Sequence, residues 1–284
     1  MATFWSSQLV LAMALNAVVQ AIQIGAYAAR LAGVQSGRIA TSISLFNLFV
    51  TASRLASLFL TPALGALADA AAHGAGPQAS SVAPAVAQTL ELQIRFIVLA
   101  GTVGTAIGAL LLPTFITLFL RGIAAFERTG SVPKALGRLA DPRVLWSILA
   151  GIRLPKLATL RRFSPDLVPR KLLVFNVLVT AIYAIGVVAA YYASVLNLAA
   201  RTTATGLSGL INGIATVSFT LVVDPTSALI TDQAAKGERS LEEVKAMVFY
   251  LSLTAIVGTL CSQVILYPSA VAIARVAGMF YHPH

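Results

Sequence analysis

The sequence predicts an all-α, polytopic membrane protein with about six transmembrane helices and both termini on the extracytoplasmic side. Three observations predict it. Of the 284 residues, 58% are hydrophobic and 11% charged, with a mean hydropathy of +0.85; soluble domains carry about 25% charged residues, so a water-soluble fold is excluded. The apolar residues fall in blocks long enough to cross a hydrocarbon core about 30 Å thick as helices of about 20 residues. The basic residues are segregated to alternate connections, as the positive-inside rule requires.

Apolar runs and their breakers place the helices over residues 8 to 29, 41 to 67, 94 to 120, 171 to 195, 205 to 230 and 246 to 275. The connection from Arg30 to Arg38 holds two basic residues, that from Arg121 to Lys171 eleven, and that carrying Lys236, Arg239 and Lys245 three, making 16 of the 20 Lys and Arg. Asp69 to Glu91 holds none, the fourth connection only Arg201 and the C-terminal end only Arg275. The reading is one membrane domain over 1–284, with a basic cytoplasmic loop at 121–171 and a small-residue extracytoplasmic loop at 69–92. Between Arg143 and Arg162 an apolar-plus-basic segment with Trp146, Ile148, Leu149 and Ile152 has the composition of a surface-lying helix; an irregular solvated loop fits the same residues. No span-length internal repeat stands out.

Composition also removes several functions. The lone Cys261 allows neither a disulfide framework nor a multi-cysteine metal site. His73, His282 and His284 lie in loop or tail sequence without partners at ligand spacing, so no metal and no cofactor are expected. The basic excess follows from loop orientation and does not call for a nucleic-acid partner. Residues 1 to 8 contain no Lys or Arg, which argues against a cleaved signal peptide. There is no P-loop, H-E-x-x-H or G-x-S-x-G motif, so neither an enzyme nor ATP-driven transport by this chain alone is predicted.

The informative residues are polar ones inside the spans, because each costs free energy in hydrocarbon unless it is paired or wetted. Arg54 is the clearest, near the centre of the second span, where arginine costs about 2.5 to 3.5 kcal/mol on insertion scales. Ser44, Asn47, Thr51, Arg54, Ser57 and Thr61 advance by three or four residues and so share a face. Asn16, Gln20, Gln23, Tyr27 and Arg30 repeat the pattern in the first span. In the fifth, Asn212, Thr216, Thr220, Asp224, Ser227 and Thr231 fall within an arc of about 120° at 100° per residue. Asp224 is the acidic residue set well inside a span, and Pro225 after it removes a backbone donor.

Two readings compete for these residues. In one they are helix-to-helix glue, with Arg54 and Asp224 neutralising each other; an offset of about 10 Å along the bundle, at 1.5 Å per residue, argues against a direct pair. In the other they line a groove with Arg30 and Arg38 at its inner mouth and Arg54 at mid-depth, suited to an anionic headgroup because guanidinium forks match phosphate oxygens. Gly101, Gly104 and Gly108 in the third span read as a close-packing face.

Several segments form a recognisable combination: Tyr27-Ala-Ala-Arg30, Ser36-Gly-Arg38 through Ser44-Leu-Phe-Asn47, Ser53-Arg54, Val179-Thr-Ala-Ile-Tyr183, Ser208-Gly-Leu-Ile-Asn212, Val223-Asp224-Pro225 and Ile230-Thr231-Asp232. Together they resemble the Amj family, alternates to MurJ among lipid II flippases. After Arg54 the family pattern has an Asn and a Gln-Ala-Pro, where this chain has Ser57 and Leu60-Thr61-Pro62. The resemblance implies a multi-pass protein of the bacterial cytoplasmic membrane that moves lipid II, the polyprenyl-diphosphate-linked disaccharide-pentapeptide, from the inner to the outer leaflet.

On that reading the substrate-binding residues are Gln23, Tyr27, Arg30, Arg38, Asn47, Arg54, Asn212 and Asp224, and the partners are lipid II and membrane lipids. A homo-oligomer is left open. The alternatives are a small-solute or vitamin uptake subunit, whose groove would be closed to lipid, and a membrane scaffold.

Overall fold

A computed structural model describes residues 4–76, 79–130 and 164–281. Its elements are α1 (Ser7–Ser36), α2 (Ile39–Ala72), α3 (Pro84–Leu110), α4 (Leu112–Thr129), α5 (Arg170–Leu196), α6 (Arg201–Ser218), α7 (Asp224–Ala235) and α8 (Leu241–Phe280), with a π turn, Phe219–Val223, joining α6 to α7. Six stretches are long and apolar enough to cross a membrane: α1, α2, α3, α5, α6 with α7, and α8. The segment 143–162, read as a surface-lying helix, falls outside the described residues.

Local chemistry explains the ends. Ser6 caps α1 by accepting the Leu9 amide. Gly37 ends it in the left-handed region (φ 68°), which a side chain disfavours, and gives its N–H to Gly33 and Val34 carbonyls. Ser240 and Glu243 form a reciprocal capping box on α8.

Two spans depart from the sequence reading. The expected third helix, 94–120, is two helices, because the chain breaks at Leu111 and α4 restarts with Pro113 in its first turn. Proline cannot give the hydrogen bond that would continue α3. The fifth span keeps its polar residues but splits their arc. The π turn inserts an extra residue, so Thr220 within it is exposed while Ser227 and Thr231 beyond it are buried, and Thr216 before it borders the cavity described below.

Helix directions follow from contacts. Asn16 reaches the Ile97 carbonyl, and Cβ atoms placed on Gly104 and Gly108 would strike the backbones of Ala17 and Ala21, so α1 and α3 run parallel and nearly touch. Asn176 reaches the Leu251 carbonyl and Asn197 that of Ala274, so α5 and α8 also run parallel. In each half the first helix packs against both others, whereas the second and third pack far less on each other. The halves α1–α3 and α5–α8 thus share one arrangement, and with three crossings each they traverse the bilayer in opposite senses. The two units are inverted in this sense, although no span-length repeat stands out in the sequence.

The bundle has a terminal end, near Ser7, Ala72 and Phe280, and a basic end, near Arg38, Arg170, Lys171 and Lys245. At the terminal end one apolar core unites both halves, including Leu9, Leu64, Ile97, Val188 and Leu266. At the basic end the core falls into two clusters that share α1. Leu45 of α2 packs with α1 and α4 around Phe119, whereas Leu172, Ile230 and Leu251 cluster with Ile24, Tyr27 and Leu31 of α1 and with no α2 residue.

Candidate functional site

Between the halves, at mid-depth, lies a cavity of about 230 Å³. From α1 it is lined by Gln20, Gln23 and Tyr27, from α2 by Ser53, Arg54 and Ser57, from α5 by Thr180 and Tyr183, and from α6 and the π turn by Thr216 and Phe219. The second helices of the two halves, α2 and α6, flank it yet make no extensive contact with each other. Their rims are exposed apolar side chains, Leu58 and Phe59 on one and Leu210 and Val217 on the other. A polar cavity in an apolar bundle therefore opens sideways, toward lipid.

Arg54 sits 15 residues into α2, about 22 Å along a helix about 50 Å long at 1.5 Å per residue. It is exposed, and among the described residues no carboxylate pairs with it. The other expected cations are matched. Arg30, its side chain 12% exposed, pairs with Asp224, and Arg38 pairs with Glu127 at 2.7 Å. Asp224 thus goes to Arg30 rather than Arg54, because the π turn ends beside α1.

The cavity brings together Gln23, Tyr27 and Arg54, with the Arg30–Asp224 pair one helical turn below Tyr27. Asn47 is exposed on α2 outside the cavity. Arg38 lies at the basic end. Asn212 presses its Oδ1 against Gly186 where α5 and α6 cross, and that oxygen accepts no hydrogen bond among the described residues.

Sequence reasoning overlooked the residue that orders the cavity floor. Asn176, fully buried on α5, accepts the Tyr27 hydroxyl at 2.9 Å and donates to the Leu251 carbonyl and Thr254 Oγ1, both at 2.9 Å. It ties α1, α5 and α8 together through one amide. The signal was there: a buried amide in the most hydrophobic span demands partners. Gln23 donates to the Tyr183 hydroxyl at 3.4 Å, bringing that tyrosine to the wall facing Arg54.

A bundle of two inverted three-helix units, with a laterally open polar cavity where they meet, defines a class: the multi-span transport proteins that move cargo at a repeat interface. The chain belongs to the Amj family, whose model, described as "Alternate to MurJ", matches residues 15–277. It is 36% identical over 264 residues to "Lipid II flippase Amj" of Bacillus subtilis (strain 168), covering 93% of this chain and 94% of that protein. No solved structure matches it.

Proposed function

We propose that this protein is a lipid II flippase of the bacterial cytoplasmic membrane, moving the polyprenyl-diphosphate-linked disaccharide-pentapeptide from the inner to the outer leaflet. The observation that carries this is the near full-length match to a protein of that name, and Arg54, unpaired among the described residues and bordering the cavity, supplies a physical route. The positive-inside rule orients the basic end toward the cytoplasm and both termini outward.

The lipid head enters between α2 and α6 while its polyprenyl tail stays in the bilayer. Arg54 receives the diphosphate through its planar fork, replacing water that the hydrocarbon core does not supply. Gln20, Gln23, Thr180 and Tyr183 offer amide and hydroxyl partners to the sugar. Arg30 and Arg38, each already matched by a carboxylate, contribute positive potential where the head enters. Asp224 holds Arg30 in place, Asn47 lies along the lipid-facing slot, and Asn212 sets the crossing of α6 on α5.

The cavity is smaller than the roughly 300–1,000 Å³ of drug-sized sites. It seats a diphosphate rather than the whole head, so α2 and α6 separate further during transport. The lateral opening favours this reading over solute uptake through a lipid-sealed site.

The test is complementation. In cells depleted of every other lipid II flippase, this chain is expected to sustain growth and expose labelled precursor on the outer leaflet. A chain that inserts stably yet exposes no precursor refutes the function.

A further inference from the structure

The two units correspond in detail at their second helices. Arg38, Pro62 and Asp69 recur 163 residues later as Arg201, Pro225 and Asp232. The arginines and aspartates stand at the same structural points: the arginines begin α2 and α6, and the aspartates lie near the ends of α2 and α7, while Pro62 lies within the continuous α2 and Pro225 opens α7 after the π turn. At the same spacing Ser53 and Thr216 both line the cavity, and Leu60 and Val223, like Leu67 and Ile230, are both buried.

Because the units are inverted, Arg201 and Asp69 meet at the terminal end and Arg38 and Asp232 lie at the basic end. The first pair is formed, tying α6 to α2 at the terminal end. Its counterpart is not. Arg38 is held by Glu127, and Asp232 is exposed with no cation on it among the described residues. The packing of α2 shows the same asymmetry: at the terminal end Leu60, Leu64 and Leu67 share a core with Ala200 and Ala204, whereas at the basic end Leu45 packs only with α1 and α4, although α1 itself joins the second half there. A second-helix contact formed at one end and its counterpart unformed at the other is one of two equivalent arrangements an inverted repeat can take, the second following when the units exchange conformations.

We propose that Arg38 and Asp232 form the closing contact of the basic end in that second arrangement, made as the Arg201–Asp69 contact opens the terminal end. The inference rests on the transport reading above for its purpose, but not for its geometry. Both existing partners of the exchange are exposed, Arg38 at 62% and Asp69 at 69% of the side chain, and exposed ion pairs contribute little stability. The exchange therefore selects between arrangements without trapping either.

Two cysteine pairs in a Cys261→Ser background test this in native membranes: Asp69→Cys with Arg201→Cys, and Arg38→Cys with Asp232→Cys. Both are expected to crosslink, and each crosslink to stop transport until reductant is added. The first pair reports that the protein is folded. In the charge series, Arg38→Glu and Asp232→Arg are each expected to slow transport about fivefold. The double exchange should restore it to within about twofold.

The proposal is overturned if the second pair never crosslinks where the first does, or if the exchange restores nothing. If both pairs crosslink alternately but no precursor reaches the outer leaflet, the clasp stands and the lipid II assignment falls.

Discussion

Replacing Arg54 with glutamine should make the protein more stable and less active at once. The stability gain follows from the position of Arg54. An arginine at bilayer mid-depth costs about 2.5 to 3.5 kcal/mol on insertion scales, and no carboxylate among the described residues offsets it. Part of that cost is already relieved because the side chain borders a polar cavity, so a gain of about 1 to 2 kcal/mol is expected, a rise of a few degrees in midpoint for a chain of this size. The activity loss follows from Coulomb's law. A unit charge about 4 Å from a phosphate oxygen at an effective dielectric of about 20 is worth about 4 kcal/mol, close to a thousandfold in rate if the contact forms while the head crosses. Thermal unfolding in lipid nanodiscs and externalisation of labelled precursor, measured on one preparation, read the two signs. A glutamine variant that melts lower would make Arg54 a packing residue, and one that transports at the wild-type rate would remove it from the path.

Arg54→Lys keeps the charge but loses the fork, and should retain more transport than glutamine while falling about tenfold below wild type; equal rates for lysine and arginine would argue against bidentate contact. Asp224→Asn strands the nearly buried Arg30 and should lower stability by about 2 kcal/mol, less than a fully buried pair because Asp224 is 46% exposed. Exchanging Arg30→Asp with Asp224→Arg should recover that stability, while Arg54→Asp with Asp224→Arg should not; the opposite result would reassign the partner of Asp224. Asn176→Ala, which unties three hydrogen bonds on one buried amide, should cost about 2 to 3 kcal/mol in thermal unfolding, and a neutral outcome would mean Tyr27 is placed by packing alone. Gly104→Leu should force α1 from α3, since even a Cβ there would lie 2.0 Å from the Ala17 carbonyl oxygen, and wild-type melting would refute that close approach.

The number and approximate positions of the spans were legible in the sequence because the transfer of each residue into hydrocarbon is nearly independent of its neighbours. The glycine face of the third span was readable for a similar reason: small residues at helical spacing mark where backbones meet. The polar stripe of the second span pointed to Arg54 because α2 stays helical past Pro62. It worked less well for the fifth span, where one inserted residue in the π turn rotated everything after it. A count at 100° per residue has no means of registering that insertion.

What only the tertiary structure decided were choices among partners. Asp224 had Arg30 and Arg54 available at similar cost in sequence terms, and helix placement gave it Arg30. Asn176 acquired a role only when α1 and α8 arrived beside it. The inverted relation of the halves left only a thin trace, Arg38, Pro62 and Asp69 against Arg201, Pro225 and Asp232, because apolar residues are interchangeable in lipid and leave few positions that must match. Burial in hydrocarbon is a property of single residues and can be summed along the chain; pairing, register and symmetry are properties of residues far apart in sequence, settled by how the helices pack.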